Sequence, residues 1–335
     1  MKAPFVWFGG KRRVAPEVWA ALGDVPNYIE PFAGSLAVLL GRPHDMSNGT
    51  RRAETVNDAD GFLANFWRAL AHDPEAVAHW CDWPVNEVDL FARHLWLVNT
   101  GRSRLLEGME ADPDFYDAQV AGWWVWGVNA WIGSGWCSGD GPWVDTGDGI
   151  GKRPHLGDAG QGVNRKLPHL GNAGRAGYNN MEYRPNVLGY FEELAGRLRD
   201  VRVCCGDWSR VCTSGAMSYG SRVGVFLDPP YLGDVRTADL YAVDDHTIAH
   251  AVRDWCLEHG DDPRLRIVLA GYRAEHDDLM PDTWRRHYYS ASAAYSTTES
   301  AARQDGNHAN RANEVLWFSP HCVTPDRQGE LWEAL

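Results

Sequence analysis

The apolar run Val223-Gly224-Val225-Phe226-Leu227, broken off by Asp228-Pro229-Pro230-Tyr231, constrains this chain more than any other feature. With no polar residue to face solvent on either side, the run reads as a strand buried on both faces, the kind found in parallel sheets covered by helices. Pro229 and Pro230 fix their φ angles and remove two amide donors, so the ladder cannot continue past them. At the carboxyl end of the strand this leaves the Asp228 carboxylate beside the carbonyl of Pro229. Open α/β sheets bind ligands at that edge, and two convergent acceptors suit one amino group that carries two protons. Tyr231 adds a ring on which a planar base can stack. A rigid turn that does no more than end a strand is the plainer alternative.

The rest of the chain falls into the alternation such a strand requires. Val25 to Pro31 reads as a strand, the turn Phe32-Ala33-Gly34-Ser35 follows, and the apolar stretch Leu36 to Leu40 opens a helix. Ala53 to Asn57 reads as a second strand ending at Asp58. Phe62, Leu63, Phe66, Trp67 and Leu70 then fall at helical spacing over Gly61 to Ala71. The pattern stops near Trp80 and resumes after Arg184 with a helix at Asn186 to Leu198 and strands at Val201 to Cys205 and Gly224 to Leu227. A helix at His246 to His259 and a strand at Arg266 to Ala270 come next, and His287 to Tyr295 with Asn313 to Phe318 reads as a closing antiparallel pair. Such alternation predicts an α/β fold, a parallel sheet between helical layers. We expect one α/β domain in two sequence pieces, 1–80 and 185–335, interrupted by an inserted region at 81–184.

The interruption has a composition of its own. After an amphipathic stretch, Val88 to Leu97, come Trp123, Trp124, Trp126, Trp131, Trp136 and Trp143, crowded by Gly and Asp. Most of these rings are expected to build a small core for the insertion, with one or two left to stack on bases or wedge into a duplex. A repeat follows, Pro154-His155-Leu156-Gly157-Asp158-Ala159-Gly160 and Pro168-His169-Leu170-Gly171-Asn172-Ala173-Gly174. Two copies are too few for a solenoid. A duplicated surface loop is the simpler reading, and a paired hairpin that touches a ligand is the functional one.

Charge bears on which ligand. The 335 residues carry 32 basic and 45 acidic side chains, a net charge of −13, whereas phosphate binding needs local positive potential. Distribution matters more than the sum. Met1 to Arg52 holds seven basic residues against four acidic, and Asp145 to Arg184 holds Lys152, Arg153, Arg165, Lys166, Arg175 and Arg184 against four acids. These are either two solvated surfaces or two halves of a basic cleft. The seven cysteines include no C-x-x-C pair, which fits reduced, mostly buried thiols and speaks against a zinc site. No apolar run reaches the ~18 residues of a membrane span. Lys11, Arg12 and Arg13 follow the N-terminal apolar stretch instead of preceding it, the reverse of a signal peptide. A cytoplasmic protein is expected.

In chain order, these segments resemble the motifs of the Dam-like DNA adenine-N6 methyltransferases of the alpha order, a family with phage-borne members. Pro4-Phe5-Val6-Trp7-Phe8-Gly9-Gly10-Lys11 looks like the family's opening K/P-F-x-x-W-x-G-G-K, and Tyr28-Ile29-Glu30-Pro31-Phe32-Ala33-Gly34 like its E-P-F-x-G cofactor loop. Asn57-Asp58-Ala59-Asp60 resembles its second-strand acid, Gly206-Asp207-Trp208 its G-D-F segment, and Asp228 to Tyr231 its catalytic D-P-P-Y. Asn129 to Gly135 resembles an N-x-x-x-x-x-G stretch, and Asn313-Glu314-Val315-Leu316 the closing E-L-L strand. Where family members carry a second glycine two residues after Gly34, this chain has Leu36, so its cofactor loop should be tighter. The basic, aromatic hairpin by which well-known members read their target is not recognisable.

The resemblance implies a Rossmann-like class I methyltransferase sheet with a large inserted target-recognition domain. It implies transfer of methyl from S-adenosylmethionine to N6 of a flipped adenine in double-stranded DNA, as in restriction-modification, by a monomer or weak dimer that needs neither metal nor membrane. A phage-encoded member would work in the host cytoplasm. Asp228, Pro229, Pro230 and Tyr231 would be catalytic; Trp7, Gly10, Lys11, Glu30, Pro31, Phe32, Gly34, Asp58, Asp207 and Trp208 would bind the cofactor. Asn129, Lys152, Arg153, Arg165, Lys166 and Arg175 would meet DNA. Several of these residues also have readings of their own. Gly9 and Gly10 make a flexible loop that presents Lys11 to a carboxylate, or an ordinary surface turn. Asp58 accepts from two ribose hydroxyls, or caps the helix that begins near Gly61. Asp207 and Trp208 hold and sandwich an adenine, or Trp208 belongs to the core. The same acceptors would serve N4 of cytosine or a base in RNA, and a catalytically silent, cofactor-sensing DNA-binding protein is the rival from another class.

Overall fold

The computed structural model describes residues 1–5, 7, 11–43, 52–112, 114–131, 136–137, 143–145, 150–152, 187–230, 245–289 and 314–324. Gly10, Tyr231, Arg153, Arg165, Lys166, Arg175 and the whole repeat lie outside the described residues. A 3-10 turn, Lys11–Arg13, leads into helix α1 (Ala15–Leu22), strand β1 (Asn27–Glu30), the short helix α2 (Ala37–Leu40) and strand β2 (Ala53–Asp58). Helices α3 (Gly61–His72), α4 (Pro74–Cys81), α5 (Glu87–Trp96), α6 (Arg102–Ala111) and α7 (Ala118–Ala130) follow, with a π-helical turn, Leu97–Gly101, between α5 and α6. Strands β3 (Trp143–Asp145) and β4 (Ile150–Lys152) form an antiparallel pair ahead of α8 (Val187–Leu198) and β5 (Val201–Cys205). Last come β6 (Val223–Leu227), α9 (Asp245–His259), β7 (Leu265–Tyr272), α10 (Arg273–His276), β8 (Arg285–Tyr289) and β9 (Glu314–Phe318). No helix among the described residues is long and apolar enough to cross a membrane.

The chain divides into two compact units, Met1–Val6 with Asp58–Gly206, and Trp7–Asn57 with Asp207–Leu335. The second unit holds a mostly parallel sheet in the order β2-β1-β6-β7-β9-β8. Strands β2, β1, β6 and β7 run parallel, and β9 and β8 close the sheet antiparallel, as the sequence pattern predicts. Every residue of β1, β6 and β9 is buried, which is why these stretches carry no polar alternation. Edge strand β8, by contrast, turns Arg285 and Tyr288 to solvent. Burying side chains such as Phe226 or Leu227 contributes roughly 1.5–3 kcal/mol each. Helix α1 covers the sheet with Val18, Trp19 and Leu22, and its Trp19 indole donates to the Val38 carbonyl at 2.7 Å.

The first unit is mainly helical, built on α3, α4, α7 and α8. Phe5, Phe66, Trp67, Trp124 and Phe191 interlock in it at ring separations of 4.9–6.2 Å. Helices α4 and α7 approach closely because Gly122 has no side chain: a Cβ there would lie 2.4 Å from that of Trp80. Trp124, Trp126 and Trp131 are buried, the core role expected of most of these rings, while Trp123 and Trp136 are half-buried. The helix they occupy escapes periodicity analysis because α7 is apolar nearly all round, so no stripe stands out against a polar face.

Candidate active site

Strands β1 and β2 pair on one side and β6 on the other, with Ile29 opposite both Thr55 and Val225. The chain therefore leaves β1 toward β2 and later returns to fill the far side, and the crevice above β1 and β6 is the switch point where open α/β sheets bind ligands. The parallel register sets the loop after Glu30 beside the loop after Leu227. Asp228, half-buried, stands at that edge, followed by buried Pro229 and half-buried Pro230. Its carboxylate is not isolated. Lys11, only 5% exposed, places Nζ 3.1 Å from Asp228 Oδ1 and 3.8 Å from Glu314 Oε2. Glu314 opens β9 opposite Tyr272, at the carboxyl end of β7, so strand register delivers the second acid to the same cation. A lysine read as presenting its charge to a cofactor thus grips the D-P-P acid. The Lys11–Glu314 pair carries no sequence signal beyond the closing-strand likeness, because only the β7–β9 register makes the two neighbours.

One strand over, Glu30 is 2% exposed and accepts a hydrogen bond from the Tyr28 hydroxyl at 2.9 Å. Burial pushes its carboxyl up to about 8, and the nearby charges of Asp228 and Glu54 push the same way against the Tyr28 and Leu39 hydrogen bonds. Among the described residues no cation is paired with Glu30. After Pro31 the chain is fixed by Asn57, whose Nδ2 donates to the Pro31 carbonyl at 3.0 Å and whose own carbonyl accepts from the Ala33 amide at 2.9 Å. Gly34 then adopts φ +46°, and a Cβ added there would stand 2.7 Å from Cδ1 of Trp7. Leu36 is also left-handed, with φ 55°, at the N-terminus of α2. Where the resemblance expects a second glycine, the backbone keeps a conformation glycine favours although the residue is leucine.

Phe32 and Trp208, both half-buried, stack at 6.2 Å with 27° between their rings. Asp207 is exposed and caps the turn Trp208–Val211, its Oδ1 accepting from the Ser209 amide at 2.9 Å. These residues fit an adenosyl amino acid in their chemistry: a buried acid with no cation paired to it among the described residues suits an ammonium group, and half-exposed rings suit a purine face. Asp58 is the last residue of β2 and the first of the segment Asp58–Gly206. Its Oδ1 accepts from the Asp60 amide at 3.0 Å, and Asp60, not Asp58, caps α3 through the amides of Phe62 and Leu63. The capping alternative for Asp58 therefore passes to its neighbour. Asn129, expected on DNA, is buried in α7 and donates from Nδ2 to the carbonyls of Pro4 at 3.2 Å and Val125 at 2.8 Å. Its amide fastens the N-terminal segment instead of facing a ligand. Lys152 lies in β4. Among the described residues no group of three or more His, Cys, Asp or Glu side chains could hold a metal.

A mostly parallel, acid-edged sheet with its switch point above β1 and β6 is consistent with a Rossmann-like methyltransferase fold. Residues 7–86 match the family model of the D12 class N6 adenine-specific DNA methyltransferases, a family of enzymes. The match takes in Trp7, Lys11, the Glu30-to-Gly34 loop and Asp58. No curated protein matches the chain.

Proposed function

We propose that this protein transfers a methyl group from S-adenosylmethionine to the exocyclic N6 amino group of an adenine in double-stranded DNA. The observation that carries the proposal is the Asp228 carboxylate at the carboxyl end of β6, paired with buried Lys11 and followed by Pro229 and Pro230. When bound, S-adenosylmethionine supplies an electrophilic methyl on a sulfonium. The chain itself acts on the nucleophile. The N6 lone pair is delocalised into the purine ring, so the nitrogen must be drawn toward tetrahedral geometry before it can attack. Asp228 and the Pro229 carbonyl accept hydrogen bonds from the two amino protons, the carboxylate stabilises the positive charge that grows on nitrogen, and one of these protons is lost once the N–C bond has formed. Lys11 fixes the carboxylate in place, which makes positioning and preorganised charge the main sources of rate. The base has to leave the duplex to reach this edge, where Tyr231 is read as its stacking partner.

Glu30, Phe32, Gly34 and Trp208 would hold the cofactor, Glu30 at its ammonium and Phe32 with Trp208 at its adenine, with Asp58 proposed at its ribose. Region 81–184 is read as the target-recognition insertion, with Lys152, Arg153, Arg165, Lys166 and Arg175 on the phosphate chain. The test is incubation with labelled S-adenosylmethionine and mixed-sequence duplex DNA, followed by digestion to nucleosides. Label in N6-methyldeoxyadenosine is expected. Label in N4-methyldeoxycytidine, in RNA only, or in neither nucleic acid would overturn the reading.

A further inference from the structure

The sheet has a second charged edge. Asp228 marks the carboxyl end of β6, and Arg222 immediately precedes its amino end, five strand residues or roughly 17 Å away. Arg266 is the second residue of β7, whose amino end lies alongside in the parallel pair. After β9 the chain turns back at the same edge, tied by the Ser319 amide on the Ile267 carbonyl at 2.9 Å and the Val323 amide on the Ala21 carbonyl at 2.8 Å. These segments border an open cavity of about 310 Å³ lined by Arg222, Arg266, His321, Cys322 and Thr324 among others.

The charge in this cavity is one-sided. Among the described residues neither Arg222 nor Arg266 has a carboxylate within ion-pair distance, although the chain as a whole is acidic at −13. Other arginines are matched: Arg264 pairs with Asp262 at 2.7 Å, and Arg42 and Arg52 share Asp24. Arg266 is partly buried, its Nη1 donating to the Leu22 carbonyl at 2.5 Å, which fixes the direction of its fork. Its pKa is held down by burial first and by the like charge of Arg222 second. Arg285 adds another positive charge near Cys322. Two guanidiniums that line one cavity, with no carboxylate paired to either among the described residues, suit an oxyanion.

We infer that this cavity is an anion site for a phosphate group, either free as a phosphate ester or carried in a phosphodiester chain. It is remote from Asp228 and does not depend on the methyl-transfer reading. The probe is inorganic phosphate, titrated into the full chain at constant ionic strength against chloride and followed by 31P line width and by the unfolding temperature. Saturable binding by the wild type is expected. Arg222→Glu, at an exposed side chain, should weaken it tenfold or more, and Arg266→Lys, which keeps the charge but loses the fork, should weaken it less. A second arm uses a short DNA duplex. Competition between phosphate and duplex, with equal weakening of both by Arg222→Glu, assigns the site to the phosphodiester chain. Phosphate binding with duplex affinity untouched assigns it to a free phosphate ester. No saturable phosphate binding by the wild type, or the same binding by Arg222→Glu, overturns the inference.

Discussion

Lys11 Nζ lies 3.1 Å from Asp228 Oδ1, joining a side chain that is 4% exposed to one that is 20% exposed. The buried partner anchors and the open partner faces the crevice, so the two substitutions should separate in their effects. Asp228→Ala removes the acceptor itself and should lower kcat by roughly 10²-fold or more while leaving the Kd for S-adenosylmethionine near wild type. Lys11→Gln leaves the acceptor but takes away the cation that separates Asp228 from Glu314. The carboxylate then loses the contact that fixes it, so kcat should fall, but by less than in Asp228→Ala, where the acceptor itself is gone. Asp228→Ala activity within tenfold of wild type, or a wild-type kcat in Lys11→Gln, would contradict this division of roles.

Glu30 carries a pH signature of its own. Its carboxyl is raised from 4.5 to about 8 in the folded chain, first by burial, so the native state keeps a proton that the unfolded chain releases. That contribution to stability is fully present below about pH 4.5 and is lost as pH rises through 8, amounting to roughly 5 kcal/mol at most. Glu30→Gln preserves an acceptor for Tyr28 and cannot ionise. Urea denaturation at pH 6 and pH 8.5 should show the variant gaining on wild type at the higher pH. If Glu30 receives an ammonium group, binding of S-adenosylmethionine near pH 7 should also release protons, read as a dependence of calorimetric heat on the buffer's ionisation enthalpy. Identical heats in two such buffers would remove Glu30 from the cofactor site.

The parts of this fold that could be read from sequence are those in which local pattern and tertiary role agree. The unbroken apolar run of β6 and the helical spacing in α3 each announce a burial that the structure confirms. Glu30-Pro31-Phe32 and Asp228-Pro229-Pro230 were recognisable as loops because prolines punctuate them, and sheet register then brings them side by side. Long-range pairings had no such signal. Nothing local links Lys11 to Glu314 or Arg222 to Arg266, since each pair meets only through strand order. Asp58 and Asp60 illustrate a finer limit: two acids near one helix start, and only side-chain geometry decides which caps it.

The insertion reading is tested through salt. Replacing Lys152, Arg153, Arg165, Lys166 and Arg175 together with alanine should weaken duplex binding and flatten its dependence on salt, by roughly one unit of slope in log K against log salt for each lost phosphate contact. Affinity for S-adenosylmethionine should not change. A wild-type salt slope in this variant would remove the glycine-rich repeat from the DNA surface.

Leu36 poses the sharpest local trade-off. A left-handed φ of 55° costs a non-glycine residue about 1–2 kcal/mol, yet the side chain is fully buried, and removing a buried leucine costs about 2–5 kcal/mol. Glycine would relieve the first term and incur the second, together with roughly 0.5–1 kcal/mol of added backbone freedom in the unfolded chain. Leu36→Gly should therefore be less stable by about 2 kcal/mol in urea denaturation. Gly34→Ala differs in kind, because the new Cβ meets Trp7 at 2.7 Å while the backbone stays at φ +46°. It should perturb the Trp7 contact and weaken S-adenosylmethionine binding more than it lowers stability. If Leu36→Gly proved more stable than wild type, strain would outweigh packing at this turn, and the leucine would owe its place to the geometry it imposes on the Glu30-to-Gly34 loop. Measuring S-adenosylmethionine affinity in the same variant separates the two accounts: packing alone predicts no change, and loop geometry predicts a loss.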